Sequence, residues 1–151
     1  MNTHTRLAYT VSSVLAAIAG VTLLASMAAA ANTSAATKEI DTAHAHAAMA
    51  QTANSLDEAH AHLHHVINCL VGPNGAGYDA SAENPCKGQG NGAIPDSANA
   101  SALHGKLESA LADAQAGLKS NDLGSVHQDA AKAAAALGAT PAQKPKGAYT
   151  W

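Results

Sequence analysis

Histidine is concentrated in the first half of this 151-residue chain, at spacings that suit a metal site. Residues 60–69, HAHLHHVINC, hold four histidines and one cysteine, and another H-A-H triplet begins at His44. Neutral imidazole binds divalent transition metals, and Cu(II) is favoured over Ni(II) or Zn(II) in the Irving–Williams order. Calcium and magnesium require clustered oxygen ligands, which this stretch lacks. The candidate metal ligands are His44, His46, His60, His62, His64 and His65.

Helices are expected to position these residues, because the flanking sequence is rich in Ala, Leu, Lys, Glu and Gln. Ser55 followed by Glu58 three residues later is typical of a helix-capping box. Residues 72–97 hold six Gly and three Pro and are predicted to form a long loop. The predicted helices cover residues 35–53, 56–71, 98–119 and 123–137.

An internal repeat relates residues 45–70 to residues 112–137 without a gap, at an offset of 67. The repeat places His127 where His60 lies in the first copy, so the two could approach each other between the helices. A lone histidine such as His127 is also often a packing residue. Two helical hairpins related in this way predict an all-α, antiparallel four-helix bundle whose halves are joined by the long loop.

The two triplets are expected to face each other across the first hairpin. His44 and His64 lie ten residues from Asn54, at the centre of the predicted turn, and His46 and His62 lie eight residues from it. Antiparallel helices bring such equidistant residues to the same height. Two imidazoles from each helix would then form a metal site without backbone movement.

The two cysteines, Cys69 and Cys86, predict a disulfide, because an even number of cysteines in an exported chain indicates disulfide pairing. Closing this loop would stabilise the fold by about 3 kcal/mol on the chain-entropy model. The alternative is a Cys69 thiolate that binds metal beside His65, with which it shares a helix face together with His62.

The N-terminal residues 1–31 have the charged, apolar and small-residue order of a secretory signal peptide. An uncleaved membrane anchor is the alternative. Cleavage would leave a domain at 32–138 and a flexible tail at 139–151, in the periplasm or secreted, with no membrane association. The mature chain would carry seven lysines and eleven acidic residues, which argues against a nucleic-acid partner.

The pattern HAHAAMAQTANSLDEAHAHLHH resembles the histidine-rich, periplasmic small metal-binding proteins of Gram-negative bacteria. The resemblance covers residues 40–70 well and 104–137 weakly. It implies an exported helical protein that binds divalent metals, copper prominently, and buffers or scavenges them. The cysteine pair, the Gly-rich loop and a second hairpin nearly free of histidine depart from the family, and they point to one or two sites rather than to storage.

Two functions follow from these features. The first is binding of Cu(II) or a similar ion in metal buffering or tolerance, without catalysis, since no nucleophile–base arrangement is present in the sequence. The second is an interaction or stress protein whose histidine surface responds to pH, because imidazole titrates near pH 6.5. The sequence leaves open whether two copies form a homodimer through their alanine-rich faces.

Overall fold

The computed structural model describes residues 34–138, and these residues form five helices and no strand. The all-α prediction is therefore confirmed for this part of the chain. No helix within it is long and apolar enough to cross a bilayer. The proposed signal peptide, residues 1–31, and the tail, residues 139–151, lie outside the described residues. The helices are α1 (34–52), α2 (Leu56–Val71), α3 (Ala93–Asp96), α4 (Ser101–Lys119) and α5 (Leu123–Gly138).

Local capping fixes where α2 and α5 begin. The Ser55 side chain accepts a hydrogen bond from the Glu58 amide, and the Glu58 carboxylate accepts one from the Asn54 amide at 2.9 Å. Asp122, 67 residues after Ser55, caps α5 in the same way by accepting a hydrogen bond from the Ser125 amide at 2.8 Å. Each cap satisfies amide groups that the first turn of a helix leaves without partners.

The structure changes the prediction for residues 72–97. Four of the residues predicted as loop form the short helix α3, and the following long helix begins at Ser101 rather than at residue 98. Gly72 ends α2 with a φ of 68° and lies against the Asn91 backbone, so that a Cβ atom at this position would overlap the Asn91 carbonyl. A glycine is therefore required where the loop returns to α2.

The core is made of small side chains. Among helices α2 to α5, the most extensive contact is between α4 and α5. Helix α2 packs against both of them. The largest fully buried aliphatic side chains belong to Leu63, Leu70, Leu107 and Leu137, and most other core positions are alanine. Alanine lets neighbouring helices approach closely, so side chains on adjacent helices can meet at short distance.

The burial pattern follows the internal repeat. Ile40 and Leu107, Ala59 and Val126, and Leu70 and Leu137 are buried pairs separated by 67 residues. The two hairpins thus use equivalent positions to form their buried faces, as the repeat predicts.

The long loop is attached to α2 by one disulfide and one buried amide. Cys69 and Cys86 form the predicted disulfide, with a Cα–Cα distance of 5.2 Å. Asn68, which is fully buried, donates hydrogen bonds to the carbonyl oxygens of Asp79 and Glu83 and accepts one from the Asp79 amide. The oxidised pair removes the alternative of a Cys69 thiolate ligand.

A buried carboxyl group, that of Glu39, joins α1 to the far end of the loop. Glu39 is 1% exposed, and its Oε1 accepts a hydrogen bond from the Gly92 amide at 2.8 Å. Within residues 34–138 its Oε2 has no hydrogen-bond partner, and Asp96 lies close by. Burial and the negative charge of Asp96 raise the pKa of Glu39 to about 7, although the hydrogen bond from Gly92 opposes this increase.

We expect Glu39→Gln to stabilise the protein above neutral pH. Because burial raises the Glu39 pKa from 4.5 to about 7, the stability that its neutral form contributes is present below pH 4.5 and is lost as the pH rises to 7. Glutamine stays neutral and keeps an acceptor for Gly92. The free energy of unfolding at pH 8, from urea denaturation, should rise by about 1–3 kcal/mol.

The matched control is Glu108→Gln on α4, which removes the same charge from an exposed residue. It should leave the pH dependence of stability unchanged. Equal pH profiles for the wild type and Glu39→Gln would contradict the assignment of a raised Glu39 pKa.

Candidate metal centre

Three histidines on α1 and α2 form a cluster, His46 on α1 and His62 and His65 on α2. The two α2 residues are three apart and therefore lie on one face of the helix. The Ser55 cap and the short turn after α1 set the register in which His46 lies opposite them. The predicted pairing of His46 with His62 is confirmed.

All three residues direct Nδ1 into the cluster. His46 Nδ1 lies 3.2 Å from His62 Nδ1 and 3.3 Å from His65 Nδ1. The ring centroids are 5.3, 4.7 and 5.8 Å apart, so the rings surround a common point and do not stack. Within residues 34–138, this is the one group of three His, Cys, Asp or Glu side chains whose ligand atoms all lie within 4.8 Å of one another.

The environment favours the neutral form of His46 and His65. Burial, together with the neighbouring His65 and His62, lowers the pKa of His46 to about 4. Burial also lowers the pKa of His65, as do His62 and His64, while the Glu83 carboxylate opposes this change. A neutral imidazole has a free lone pair, which is the form that binds a metal ion.

The Nδ1 atoms of the cluster cannot all be satisfied by hydrogen bonds to one another. A neutral imidazole has one N–H and one acceptor nitrogen, so the single Nδ1 of His46 makes at most one good hydrogen bond with its two neighbours. A cation at the centre would accept lone pairs from all three nitrogens. For a tetrahedral ion with metal–nitrogen distances near 2.0–2.1 Å, adjacent ligand nitrogens lie roughly 3.3 Å apart, close to the two contacts found here.

The other predicted pair has different neighbours. His64 Nδ1 lies 3.1 Å from Asp79 Oδ2 in the loop, and His44 Nε2 lies beside Gly138 at the end of α5. Residues two apart on an α-helix point about 200° away from each other. Neither H-A-H triplet can therefore place both its histidines on the face that the other helix contacts.

His60 and His127 have equivalent structural roles in the two hairpins. His60 Nε2 lies 3.1 Å from the carbonyl oxygen of Ser120, which follows α4, and His127 Nε2 lies 3.0 Å from that of Ala53, which follows α1. All four residues obey the repeat offset of 67. Each histidine thus donates a hydrogen bond to the last turn of the opposite hairpin's first helix, where carbonyl groups lack partners.

The sequence placed His65 in the set of candidate ligands but did not identify its partner. The signal was present, because residues 62 and 65 share a face and His46 lies opposite that face. Asn68 and Asp79, which hold the loop beside the cluster, were not identified as important. Asn68 is a polar residue in the apolar stretch VINCLV, which is a pattern that indicates a buried amide with a specific role.

We expect His127→Ala to lower stability by about 1–3 kcal/mol, because the buried Ala53 carbonyl loses its hydrogen-bond partner. His60→Ala should have a similar effect through Ser120. Thermal unfolding followed by circular dichroism measures both. His104→Ala is the control, at a half-exposed residue of α4 whose Nε2 lies 3.6 Å from Glu108 Oε1 on the same helix. A loss as large as that of His127→Ala would argue against the capping role.

The chain matches no family model, and neither the curated proteins nor the solved structures include a match. Functional assignment therefore depends on the chemistry of the cluster itself. Its convergent Nδ1 atoms, depressed pKa values and position on two long helices make this cluster the candidate metal centre of the protein.

Proposed function

We propose that the protein binds one divalent transition-metal ion through His46, His62 and His65. The proposal depends on the convergence of three Nδ1 atoms. The Nδ1 atom of His46 lies 3.2 Å from that of His62 and 3.3 Å from that of His65. The donor set is all imidazole nitrogen, which suits Cu(II), Ni(II) and Zn(II), and Cu(II) should bind most tightly. His44, His60 and His64 are omitted from the ligand set because each has another neighbour.

The second hairpin supports this proposal by contrast. The positions equivalent to the three histidines, at the offset of 67, are Asp113, Asp129 and Lys132. Lys132 Nζ binds Asp129 Oδ1 at 2.7 Å, and Asp113 also attracts this ammonium group. In the second hairpin, the Lys132 ammonium group therefore lies among carboxylates. The first hairpin has three lone-pair donors at the equivalent positions and no side-chain cation among them.

A histidine surface that responds to pH near 6.5 is the alternative function. The lowered pKa values of His46 and His65 weigh against it, because both residues favour the neutral form at pH values where an ordinary imidazole becomes protonated. Their neutrality favours metal binding.

We further propose that the protein acts outside the cytoplasm, in the periplasm or as a secreted protein, in copper buffering or tolerance and without catalysis. The disulfide supports this location, because disulfides persist in oxidising compartments. A single three-histidine cluster among the described residues favours a role in buffering with one ion per chain over high-capacity storage.

The arrangement that we infer for the long helices is an antiparallel four-helix bundle. The contacts of α2 with α4 and α5, the reciprocal histidine caps and the position of His44 beside Gly138 support it. In this arrangement the histidine cluster lies on the outer side of the α1–α2 hairpin, beside the loop.

Isothermal titration of the purified protein with Cu(II), Ni(II) and Zn(II) at neutral pH tests the metal site. We expect one ion per chain, with Cu(II) bound most tightly. His46→Ala and His62→Ala should each weaken Cu(II) binding by about 100-fold or more, since each removes a ligand rather than an outer-shell group.

Two neighbouring histidines, His44 and His64, provide matched controls. His44→Ala and His64→Ala remove an imidazole two residues away from each proposed ligand and should leave Cu(II) affinity within a few-fold of the wild type. Binding weaker than micromolar, or equal losses in all four variants, would contradict the proposed site.

Metal release on acidification provides a second test. Protons compete with the ion for the imidazole nitrogens, so affinity falls as the pH drops through the ligand pKa values. Because the pKa values of His46 and His65 are lowered, half of the bound Cu(II) should be released below the ordinary imidazole value of about 6.5. A release midpoint at or above that value, measured by equilibrium dialysis, would contradict the site.

A further inference from the structure

We propose that the carboxylate of Glu83, in the loop after α2, is the fourth ligand of the metal ion held by His46, His62 and His65. This inference rests on the proposed metal binding and concerns how the site is completed. Three imidazoles leave at least one position open on a four-coordinate ion. A ligand for that position has to come from solvent or from the chain that lies beside the cluster.

The backbone of Glu83 is held next to the helix face that carries the cluster. Its carbonyl oxygen accepts a hydrogen bond from Asn68 Nδ2 at 3.2 Å, and Asn68 lies one turn beyond His65 on α2. Cys86, three residues after Glu83, is bonded to Cys69, which lies four residues beyond His65. These two attachments hold the Glu83 backbone beside the turn of α2 that follows His65.

The charge of Glu83 already acts on the cluster. The carboxylate lies near enough to His65 for a Coulombic interaction with that ring. Glu83 is exposed, and its carboxylate makes no hydrogen bond within residues 34–138. The side chain can therefore change rotamer towards a bound ion without breaking another interaction.

The other two acidic residues between α2 and α4 already have hydrogen-bond partners. The Asp79 carboxylate accepts hydrogen bonds from the amide and hydroxyl groups of Ser81 and contacts His64. Asp96 accepts two hydrogen bonds from Asn91, beside the buried Glu39. Glu83 is thus the loop carboxylate available to the cluster, and its negative charge would offset part of the charge that a divalent ion brings into a half-buried site.

Glu83→Gln tests the inference with little risk to the fold, because the side chain is exposed and glutamine has the same shape. We expect Zn(II) and Cu(II) affinity, measured by calorimetry, to fall by about tenfold or more. The visible absorption spectrum of the Co(II)-loaded protein should also change, since this spectrum reports the ligands bound to the ion. Glu108→Gln on α4 removes an equal charge away from the cluster and should change neither quantity.

The outcomes separate this inference from the proposal on which it rests. If the wild type binds metal and His62→Ala does not, but Glu83→Gln matches the wild type in affinity and Co(II) spectrum, Glu83 is not a ligand and the three-histidine site stands. If the wild type binds none of the three metals, the metal site itself is refuted and the role of Glu83 falls with it.

Discussion

Close antiparallel contact between α1 and α2 is the constraint on which the histidine cluster depends. Buried alanines such as Ala43, Ala47 and Ala59 form this hairpin's inner surface, and their small size lets the two backbones approach. Only at that separation do imidazoles from both helices reach Nδ1 contacts of 3.2–3.3 Å. Larger core residues would add apolar burial, but they would move the helices apart and separate the ligand atoms. The thin core and the histidine cluster are therefore two consequences of one composition.

The sequence predicts those parts of the structure that depend on helix caps and short turns. The bounds of α2 follow from the Ser55 cap and from Gly72, and the spacing about Asn54 predicts that His46 meets His62. The disulfide follows from the presence of two cysteines in a chain with an export-like leader. Each of these features depends on a few neighbouring residues, or on a register that one short turn imposes.

The remaining features depend on rotation about the helix axis and on the path of the loop. Spacing from the turn predicts a common height for His44 and His64 along the two helices, but height does not decide which face of a helix a residue occupies. The loop then determined the partner of His64, because Asn68 brings Asp79 beside it. No local pattern in the Gly-rich segment indicates where it folds back along α2, or that four of its residues form α3.

The internal repeat distinguishes structural histidines from candidate ligands within one chain. His60 and His127 occur at equivalent positions and make equivalent hydrogen bonds, so they belong to the scaffold that both hairpins share. The cluster positions do not repeat, because the second hairpin has two aspartates and a lysine there. A fold that needed three imidazoles for packing would be expected to need them twice. Their presence in the first hairpin alone shows that the shared scaffold does not require them, which agrees with the proposal that they bind a ligand.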